Sequence, residues 1–578
     1  MKRSLLACQW ILREVDQAVC DLFVREIGIS PLSASLLYHR GIRSAEEAER
    51  FLNLSLSNMH SPFLFKDMER AVERIVRAML RNERILIYGD YDADGVTGVA
   101  ILLNFFRQCG LDPQYYIPHR ILEGYGLNPE AIARFGTQGT DLLITVDCGS
   151  AADEAIRIAR EWGIEVIVTD HHECPSSPPQ ALAVLNPKRS DSGFPFSSIA
   201  GVGVAFYLLV ALRVRLRELG YWEQHKEPNL LRYLDLVALG TIADMVPLQK
   251  DSRIFAKFGM DEIAVGRRPG IFALKEVAGV LERPVDTRSI LFRLGPRINA
   301  AGRIGWASES VELLTCEDIG TAREIAQVLE GRNRERKAIE EVVYLEAKPL
   351  AATQIQEHGA KALVLASKNW HRGILGIVAS RIANDFSRPT IMISLEEEQG
   401  KGSARGVGEI LLLDALDSCK DWLEGYGGHQ GAAGVAIRIE NIEPFRRAFE
   451  NAVQRQMGGQ KEILPTLHLD LCLNSPEELT ENIVAEFELF APFGYGNTEP
   501  VVALHNMRIL GKRLVGENHL KLSVSGDRIY FDAIGFGMAS LDPLLGTRTR
   551  WDLAVTPYLD SWGGHPQIQL RLVDIRPA

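Results

Sequence analysis

The stretch Tyr88-Gly-Asp-Tyr-Asp-Ala-Asp-Gly-Val-Thr-Gly98 places Asp90, Asp92 and Asp94 at alternate positions directly after the apolar run Ile85–Tyr88. The run predicts a strand, and in an extended segment residues two apart point to the same side. Carboxylates that converge in this way repel one another, and a divalent cation relieves the repulsion. One aspartate in such a turn is more typical of a helix cap or a solvated loop. Three at this spacing after a strand favour a metal site.

Two further apolar runs end in residues that bind metals. Leu142–Val146 leads into Asp147-Cys-Gly149, and Ile164–Val168 leads into Thr169-Asp-His-His-Glu173. Strands separated by helical patterns predict a parallel α/β sheet, and such sheets bind ligands beyond the carboxyl ends of their strands. We therefore expect these motifs to meet. Asp244, an acid between apolar residues, is a fourth candidate, although alone it is more typical of a helix cap.

These residues carry a family resemblance. Asp92-Ala-Asp94, Asp147, Asp170-His-His172 and Asp244, in this order, resemble the four motifs of the DHH phosphoesterase superfamily. The superfamily includes family II inorganic pyrophosphatases, cyclic-dinucleotide phosphodiesterases, oligoribonucleases and the RecJ single-strand exonucleases. Relatives with a metal pair often carry histidine where this chain has Tyr88. The ligands of a second ion are therefore open, with Asp90 as our substitute.

Length and composition set the broad class. A chain of 578 residues should hold several domains, and 46% hydrophobic with 24% charged residues is ordinary for a soluble protein. The eight cysteines include no Cys-x-x-Cys pair and predict reduced thiols in a cytoplasmic protein. Polar residues such as Gln9 and Arg13 interrupt the signal-like start, and we expect no membrane segment. The net charge of −11 argues weakly against a nucleic-acid partner, but the acids of the proposed site contribute to it.

The pattern along the chain predicts an α/β protein of several domains, with a parallel-sheet catalytic domain, a smaller α/β domain and a terminal β-barrel. One long helix from Ile319 to about Leu345 should join the first two domains, with Val328, Leu329, Val342 and Leu345 on its apolar side. The predicted segments are an N-terminal helical segment (1–60), a DHH catalytic domain (61–280), an Arg-rich linker with the long helix (281–348), a substrate-binding domain (349–458) and a nucleic-acid-binding barrel (459–578).

The linker contains a positively charged stretch, Arg297-Ile-Asn-Ala-Ala-Gly-Arg303. The planar fork of arginine suits phosphate oxygens, and the small residues between the two arginines would allow close approach to a nucleic-acid backbone. A solvated charge run is the alternative explanation. The stretch also resembles the linker segment of RecJ proteins.

A second α/β unit should follow, with strands at Ala362–Leu365 and Thr390–Ile393. Three stretches resemble, in turn, those of the DHHA1 domain that binds substrate in several branches of the superfamily: Trp370–Ile382, Gly402–Gly406 and Gly427–Gly434. We expect Gly-rich turns that open helices and offer backbone N–H groups to an anion. Arg405 would add charge and His429 a hydrogen-bond donor.

Short alternating segments beyond about residue 460 predict a small barrel, for which an OB-fold is the natural interpretation. The predicted strands are Thr466–Leu471, Val501–His505, Leu520–Val524, Ile529–Ile534, Leu553–Thr556 and Ile568–Leu572. Such barrels hold single strands on aromatic residues beside a basic groove. Candidates are Arg508, Lys512, Arg513, Lys521, Tyr530 and Arg548. A purely structural cap is the alternative.

Among the branches, the resemblance to RecJ extends from about residue 30 to the end. It implies a 5′ to 3′ exonuclease that degrades single-stranded DNA to mononucleotides in DNA repair and recombination. An oxygen-rich site with imidazoles suits Mn²⁺ or Mg²⁺, and we expect two ions for hydrolysis. We assign one ion to Asp94, Asp147, His171 and Asp244, and a second to Asp90, Asp92 and Asp147. His172, as a charge stabiliser or proton donor, completes a catalytic set with Asp147 and His171.

The resemblance also implies a binding site for the 5′ end and its phosphate. We assign it to Arg297, Arg303, Ser403, Arg405, Gly428 and His429. The expected partners are single-stranded DNA and, beyond it, a single-strand-binding protein and a helicase, with no membrane. Two other functions stay open: a phosphodiesterase for short oligonucleotides or cyclic dinucleotides, and a DNA-binding relative without catalytic activity.

Overall fold

The structure is a computed structural model that describes residues 4–459, 465–546, 550–560 and 565–578. The chain divides into two compact units. Unit A comprises Leu54–Ile339 with Pro492–Asn497, and unit B comprises Met1–Asn53, Glu340–Ala491 and Thr498–Ala578. Arg548, one of the predicted nucleic-acid contacts, lies outside the described residues.

Helices and strands alternate through most of unit A and the first part of unit B. The helices are α1 (Gln17–Ile27), α2 (Pro31–His39), α3 (Ala45–Leu52), α4 (Met68–Arg81), α5 (Ala93–Gln108), α6 (Pro129–Thr137), α7 (Asp153–Glu161), α8 (Gly201–Glu218), α9 (Leu234–Ala243), α10 (Lys250–Val265), α11 (Pro269–Ala278), α12 (Thr287–Ser289), α13 (Gly295–Ile304), α14 (Ser308–Thr315), α15 (Ile319–His358), α16 (Leu375–Phe386), α17 (Leu412–Asp417), α18 (Ile442–Gln456) and α19 (Glu481–Glu488). The strands are β1 (Gln9–Leu12), β2 (Ile85–Gly89), β3 (Gln114–Tyr116), β4 (Leu142–Val146), β5 (Glu165–Thr169), β6 (Ala183–Leu185), β7 (Leu363–Ser367), β8 (Thr390–Glu396), β9 (Gln399–Arg405), β10 (Gly425–His429), β11 (Ala432–Arg438), β12 (Thr466–Leu469), β13 (Leu471–Cys472), β14 (Val502–Val515), β15 (His519–Ser525), β16 (Tyr530–Gly535), β17 (Arg550–Asp560) and β18 (Gln567–Pro577).

Unit A is built on a parallel five-stranded sheet of order β3-β2-β4-β5-β6. Every residue of β2 and β4 is buried, as expected for strands covered on both faces. The carboxyl ends of β2, β4 and β5, which carry the three predicted motifs, are adjacent in this order. The prediction of a parallel α/β sheet with its motifs at one edge is confirmed.

The part of unit B that follows α15 contains a mixed sheet of order β10-β11-β9-β8-β7. Strands β7 and β8 lie where the sequence predicts them, but Gly402–Gly406 and Gly427–Gly434 are not turns that open helices. They contribute to β9, β10 and β11, so that expectation is wrong. Close sheet packing explains Gly402, because a Cβ there would lie 2.7 Å from the Met392 carbonyl oxygen. Only the first of the three stretches leads into a helix, α16.

The predicted terminal barrel is present in unit B. Strands β14, β15, β16, β18 and β17 form a closed five-stranded barrel because β17 also pairs with β14. Thr466–Leu469 was wrongly assigned to the barrel, since it forms β12 and pairs in parallel with β1 near the N-terminus. The N-terminal segment is accordingly not helical throughout. The four residues of β1, Gln9-Trp-Ile-Leu12, are too few to give a clear strand signal, and their partner strand lies more than 450 residues away.

The predicted long helix exists but extends further than expected, through Pro349 to His358. The residues after Pro349 are mostly good helix formers such as leucine, alanine and glutamine, which explains the continuation. Its buried side also differs from the prediction. Val342 and Leu345 are 57% and 61% exposed, whereas Val343 is buried. In the described part of the chain, no helix is long and apolar enough to span a membrane.

Candidate metal centre

The three aspartates of the first motif converge because the chain changes from strand to helix between them. Asp90 follows β2, Asp92 caps α5 and Asp94 lies in the first turn of that helix. The Oδ1 atom of Asp92 accepts hydrogen bonds from the N–H groups of Asp94 and Gly95, at 2.9 Å and 3.3 Å. The expectation of an extended segment is therefore wrong beyond Asp92. A Cβ on Gly95 would lie 2.5 Å from the Asp90 carbonyl oxygen, so this turn requires glycine.

Asp94 is fully buried and is held by the N-terminus of α8. Its Oδ2 accepts a hydrogen bond from the N–H of Gly201 at 2.6 Å, and its Oδ1 accepts one from Val202 at 2.7 Å. A helix N-terminus stabilises a carboxylate through such free N–H groups. A Cβ on Gly201 would lie 2.7 Å from the Cβ of Asp147, so glycine is required there. Gly201 was not among the predicted site residues.

Asp147 follows β4 in a backbone conformation that non-glycine residues rarely adopt, with a φ of 61°. Its N–H donates to the Thr169 carbonyl oxygen of the next strand at 2.9 Å, which fixes the turn. The Oδ1 atom lies 3.1 Å from Nε2 of His171 and 3.5 Å from Nδ1 of His172. This strained turn therefore directs one carboxylate oxygen at both histidines.

Asp170 orients the two histidines that follow it. Its Oδ1 accepts hydrogen bonds from the N–H groups of His171 and His172 and lies 2.9 Å from Nδ1 of His172, while its Oδ2 accepts from the N–H of Ser150. Burial works against ionisation here, but the hydrogen bond from His172 and the charge of that imidazole outweigh it and lower the pKa of Asp170. Asp170 is thus a buried carboxylate whose hydrogen bonds hold the histidine turn.

His171 faces the acids directly. Its Nε2 lies 3.5 Å from Oδ2 of Asp94 and 3.5 Å from Oδ2 of Asp244, in addition to the contact with Asp147. Burial, and then the positive charge of His172, lower the pKa of His171 to about 3. The ring also bonds the backbone of Ile199, which fixes its orientation. A neutral imidazole held in this way presents its Nε2 lone pair to the centre of the acid cluster.

His172 is more accessible, with a side chain that is 46% exposed. Burial lowers its pKa, but the hydrogen bond and charge of Asp170 outweigh burial, and the net pKa is raised. The Tyr125 hydroxyl lies 2.8 Å from Nδ1 of His172 and donates to the Asp147 carbonyl oxygen at 3.0 Å. Tyr125 belongs to the Gly-Tyr-Gly turn at residues 124–126 and was not among the predicted site residues.

Asp244 completes the cluster from the C-terminal end of α9. It is the C-cap residue of this helix, as its sequence context indicates, yet its side chain also reaches His171. A Cβ on Gly240, one turn earlier, would lie 2.3 Å from the Thr97 hydroxyl and 3.3 Å from Oδ1 of Asp94. Glycine at this position therefore lets α9 approach α5 closely enough to bring the two acids together.

The electrostatics of the cluster are those of a cation site. Burial, and then the charge of Asp92, raise the pKa of Asp94 to about 7. Burial and neighbouring carboxylates also raise the pKa values of Asp90, Asp147 and Asp244. In the described part of the chain, Asp90 Oδ1, Asp147 Oδ1 and His171 Nε2 are buried without a hydrogen-bond partner. Buried acceptor atoms facing one another without donors fit a bound divalent cation.

The side chains form three sets that could each hold a metal ion. Within each set, one ligand atom per residue lies within 4.8 Å of the ligand atoms of the other two residues. The sets are Asp94, His171 and Asp244; Asp147, His171 and His172; and Asp90, Asp92 and Asp147. All six predicted metal ligands are members of these sets. Tyr88, at the position where relatives often have histidine, does not join them. Its hydroxyl donates to the Gly126 carbonyl oxygen at 3.0 Å and accepts from the N–H of Asn128 at 3.1 Å, so it supports the loop around Tyr125 instead.

The predicted phosphate ligands of α13 differ in their surroundings. Arg297 is buried, and its Nε lies 2.7 Å from Oε2 of Glu330, while Nη1 donates to the Arg293 carbonyl oxygen. Arg303 is half-buried, and its charge acts on Tyr91, which lies between Asp90 and Asp92 of the first motif. The guanidinium of Arg297 is therefore committed to interactions within unit A.

We predict that Arg297→Ala lowers the free energy of unfolding by about 3–5 kcal/mol, because it removes the buried partner of the Glu330 carboxylate and leaves only an exposed one. Arg334→Ala is the matched control, since Arg334 pairs with the same Glu330 from an exposed position and should contribute only about 0.3–0.5 kcal/mol. Urea denaturation measures both. An Arg297→Ala protein with normal stability and weakened binding of single strands would instead support a direct phosphate contact.

The remaining predicted substrate ligands belong to unit B. Arg405 lies at the end of β9, and its Nη1 donates to the Ser403 hydroxyl at 2.9 Å while its Nε donates to the Ser380 hydroxyl at 3.0 Å. A Cβ on Gly376, in the first turn of α16, would lie 2.4 Å from Nη2 of Arg405, so the guanidinium lies against the start of this helix. Gly428, with a φ of 145°, and the exposed His429 end β10.

Comparisons with known proteins agree with this architecture. The sequence matches the DHH family N-terminal domain at residues 84–241, the DHHA1 domain at residues 359–455 and the RecJ OB domain at residues 470–574. The single-stranded-DNA-specific exonuclease RecJ of Escherichia coli is 37% identical over 98% of both chains. The RecJ of Dickeya dadantii is 39% identical over 94% of this chain and 95% of its own. A crystal structure of RecJ from Thermus thermophilus with Mn²⁺ superposes with a TM-score of 0.83 at 30% identity, over 99% of this chain and 80% of that one.

Proposed function

The chain belongs to the RecJ family of single-stranded-DNA-specific exonucleases, and we propose that it hydrolyses single-stranded DNA from the 5′ end and releases mononucleotides. The observation that carries this proposal is the cluster of six metal-type ligands at the carboxyl edge of the parallel sheet. The strand-binding barrel of unit B supports a polymeric substrate. Activity in DNA repair and recombination follows from the resemblance.

We assign one divalent ion to Asp94, Asp147, His171 and Asp244 and a second to Asp90, Asp92 and Asp147. The donor set, rich in carboxylate oxygens with one or two imidazoles, suits Mn²⁺ or Mg²⁺. When bound, such ions polarise the phosphate and lower the pKa of coordinated water. Asp147 belongs to both assignments, which its position between the other acids supports.

The protein groups around the ions position the substrate and move protons. His172 is exposed enough to reach a phosphate, and its raised pKa favours the protonated form that can donate to a leaving oxygen. Asp170 and the Tyr125 hydroxyl both act on Nδ1 of this ring and fix its orientation. The other ring nitrogen, Nε2, is then the atom we assign to the scissile phosphate.

An exposed aromatic residue of unit B supports the assignment of a single-stranded substrate. In the barrel, Tyr530 is 70% exposed and suits base stacking. Two predicted basic contacts already have acidic neighbours, since Lys521 pairs with Asp532 and Lys512 with Asp542. We propose Ser403, Arg405, Gly428 and His429 of unit B as ligands of the 5′ phosphate, and Arg303 of unit A as a separate phosphate contact. The partners we propose are a single-strand-binding protein and a helicase, which would supply unpaired strands.

A cytoplasmic location is also part of the proposal. All eight cysteines are free thiols in the structure. Thiols that remain reduced are typical of cytoplasmic proteins.

Product analysis on a long single strand tests the activity. With Mn²⁺ or Mg²⁺ present, we expect a 5′ label to be released at once as a mononucleotide, while a 3′-labelled strand shortens progressively. A circular strand of the same sequence is the matched control and should resist digestion, because it has no 5′ end for the phosphate site. Rapid cleavage of the circle would contradict an exonuclease. Turnover of dinucleotides without digestion of the long strand would favour the short-substrate phosphodiesterase.

A further inference from the structure

Trp306 is a large apolar side chain that the proposed function does not use. It lies between α13 and α14 and is 53% exposed. The His119 imidazole contacts it at 4.7 Å between ring centroids, with the ring planes at 71°. Full exposure of an indole to water is unfavourable, but here a second ring supports it and leaves more than half of its surface open. We call the pair His119–Trp306 the aromatic ledge.

The histidine of the ledge is held rigidly. Its Nδ1 accepts hydrogen bonds from the N–H groups of Ile121 and Leu122 at 3.2 Å and 3.3 Å. The backbone N–H of His119 donates to Oε2 of Glu123 at 2.7 Å, and the backbone carbonyl oxygen of His119 accepts from the N–H of Glu123 at 2.9 Å. Because both ring and backbone are fixed, the imidazole supports the indole at little further cost in side-chain entropy.

The tryptophan side of the ledge is joined to the metal centre through α13. The Asn299 side-chain oxygen accepts a hydrogen bond from the N–H of Ala93 at 2.7 Å, directly after Asp92. A Cβ on Gly302 would lie 2.4 Å from the Tyr91 carbonyl oxygen, so α13 packs against the chain between Asp90 and Asp92. The helix that leads to Trp306 is therefore in contact with the first metal-binding motif.

Positive charge lies between the ledge and the acids. The Arg120 guanidinium, next to His119 in the chain, lies over the Tyr91 ring at 4.6 Å from its centroid. Burial, and then the charge of Asp90, raise the pKa of Tyr91, and the charges of Arg120 and Arg303 oppose that shift. The surface thus passes from carboxylates through two arginines to an exposed indole. That sequence of chemistries matches a nucleotide chain with one phosphate at the metals, the next at the arginines and a base beyond.

We propose that Trp306 is a specificity-determining residue that stacks an unpaired base of the substrate strand beside the metal centre. The inference rests on the proposed function and adds a base-recognition site to it. Stacking on an indole requires a base whose face is free, so the ledge would favour single strands over duplexes at the point of cleavage. It would be tolerant of sequence, because every base has a face that can stack.

The test removes the indole and the base separately. Trp306→Ala should raise KM for a long single strand by about ten-fold with little change in kcat, because stacking of one base is worth about 1–3 kcal/mol. Trp306→Phe should retain most of the affinity. Single abasic units are placed at successive positions near the 5′ end of the strand. At one or two of these positions, the missing base should raise KM for the wild-type protein. In Trp306→Ala the penalty at those positions should disappear.

Trp162→Ala is the matched control. Trp162 is the same residue type in the same unit and is 48% exposed, but it follows α7 and precedes β5, at the amino end of the sheet. Its removal should leave KM and the abasic profile unchanged. Melting temperatures of all three variants exclude unfolding as the cause.

The outcomes separate the inference from the proposed function. An abasic profile that is the same in Trp306→Ala and wild type, with normal digestion of single strands, would overturn the inference alone. If the wild-type protein does not digest single strands at all, the proposed function fails and the inference with it.

Discussion

Replacing Asp147 with asparagine will abolish hydrolysis of single-stranded DNA and, in metal-free buffer, raise the melting temperature of the protein. Asp147 takes part in two of the three ligand sets and shares its Oδ1 with both histidines. The loss of activity should therefore exceed the roughly 10- to 100-fold loss typical of residues that only support metal ligands. Asparagine is the right replacement, because it tolerates the left-handed backbone that alanine would strain.

The gain in stability follows from charge repulsion. Without a cation, the carboxylates of Asp90, Asp94 and Asp244 oppose that of Asp147 in a buried space. Removal of one charge should raise the free energy of unfolding of the metal-free protein by about 1–3 kcal/mol. Added Mn²⁺ should make the wild-type protein more stable than Asp147→Asn, because binding to the folded state stabilises only a protein with an intact site.

Thermal denaturation with EDTA and with Mn²⁺ measures both effects. Asp112→Asn is the control, since that carboxylate is 81% exposed and pairs with Arg107 on the surface. It should change neither activity nor the response to Mn²⁺. An Asp147→Asn protein that is less stable than wild type without metal, yet still active, would refute the assignment of a metal centre.

Replacing His172 with glutamine will lower kcat by about 10²- to 10⁴-fold with a smaller effect on KM, the range typical of a positioned proton donor. Glutamine keeps a polar side chain of similar length but cannot carry the proton that the raised pKa of His172 favours. Single-turnover hydrolysis with saturating metal isolates the chemical step. An unchanged rate in His172→Gln would exclude this residue as the proton donor.

Tyr125→Phe should have a milder effect, because it removes only the hydroxyl that lies 2.8 Å from Nδ1 of His172. We expect roughly a ten-fold lower kcat, within the range for groups that orient a catalytic side chain. His225→Gln is the control for both variants. His225 is an exposed histidine of unit A, stacked on Tyr221, and its replacement should leave kcat unchanged.

The parts of the centre that sequence reasoning predicts are those with strong local signals. Buried β-strands read as short apolar runs, and the acids and histidines directly after them must meet at one edge of a parallel sheet. Asp147 and Asp170-His-His172 are of this kind. The barrel strands β14 to β18 alternate clearly enough to be located, although their ends are not.

The role of a residue is harder to predict from the sequence when it depends on contacts with residues far away in the chain. The role of Gly201 depends on Asp94 and Asp147, which lie more than fifty residues earlier in the chain. Arg297 reads as a phosphate ligand because the small residues around it suggest an open surface, yet Glu330 pairs with it inside unit A. Gly402 of β9 and Gly428 of β10 belong to stretches that resemble a helix-opening turn in sequence, whereas close contacts with neighbouring strands require glycine at both positions.

Anomalous scattering from Mn²⁺ in crystals of the wild-type protein tests the central claim most directly. We predict two peaks, one among Asp94, Asp147, His171 and Asp244 and one among Asp90, Asp92 and Asp147, and the loss of at least one of them in Asp147→Asn. No peak at these side chains in crystals that contain saturating Mn²⁺, from a protein that still digests single-stranded DNA, would contradict it.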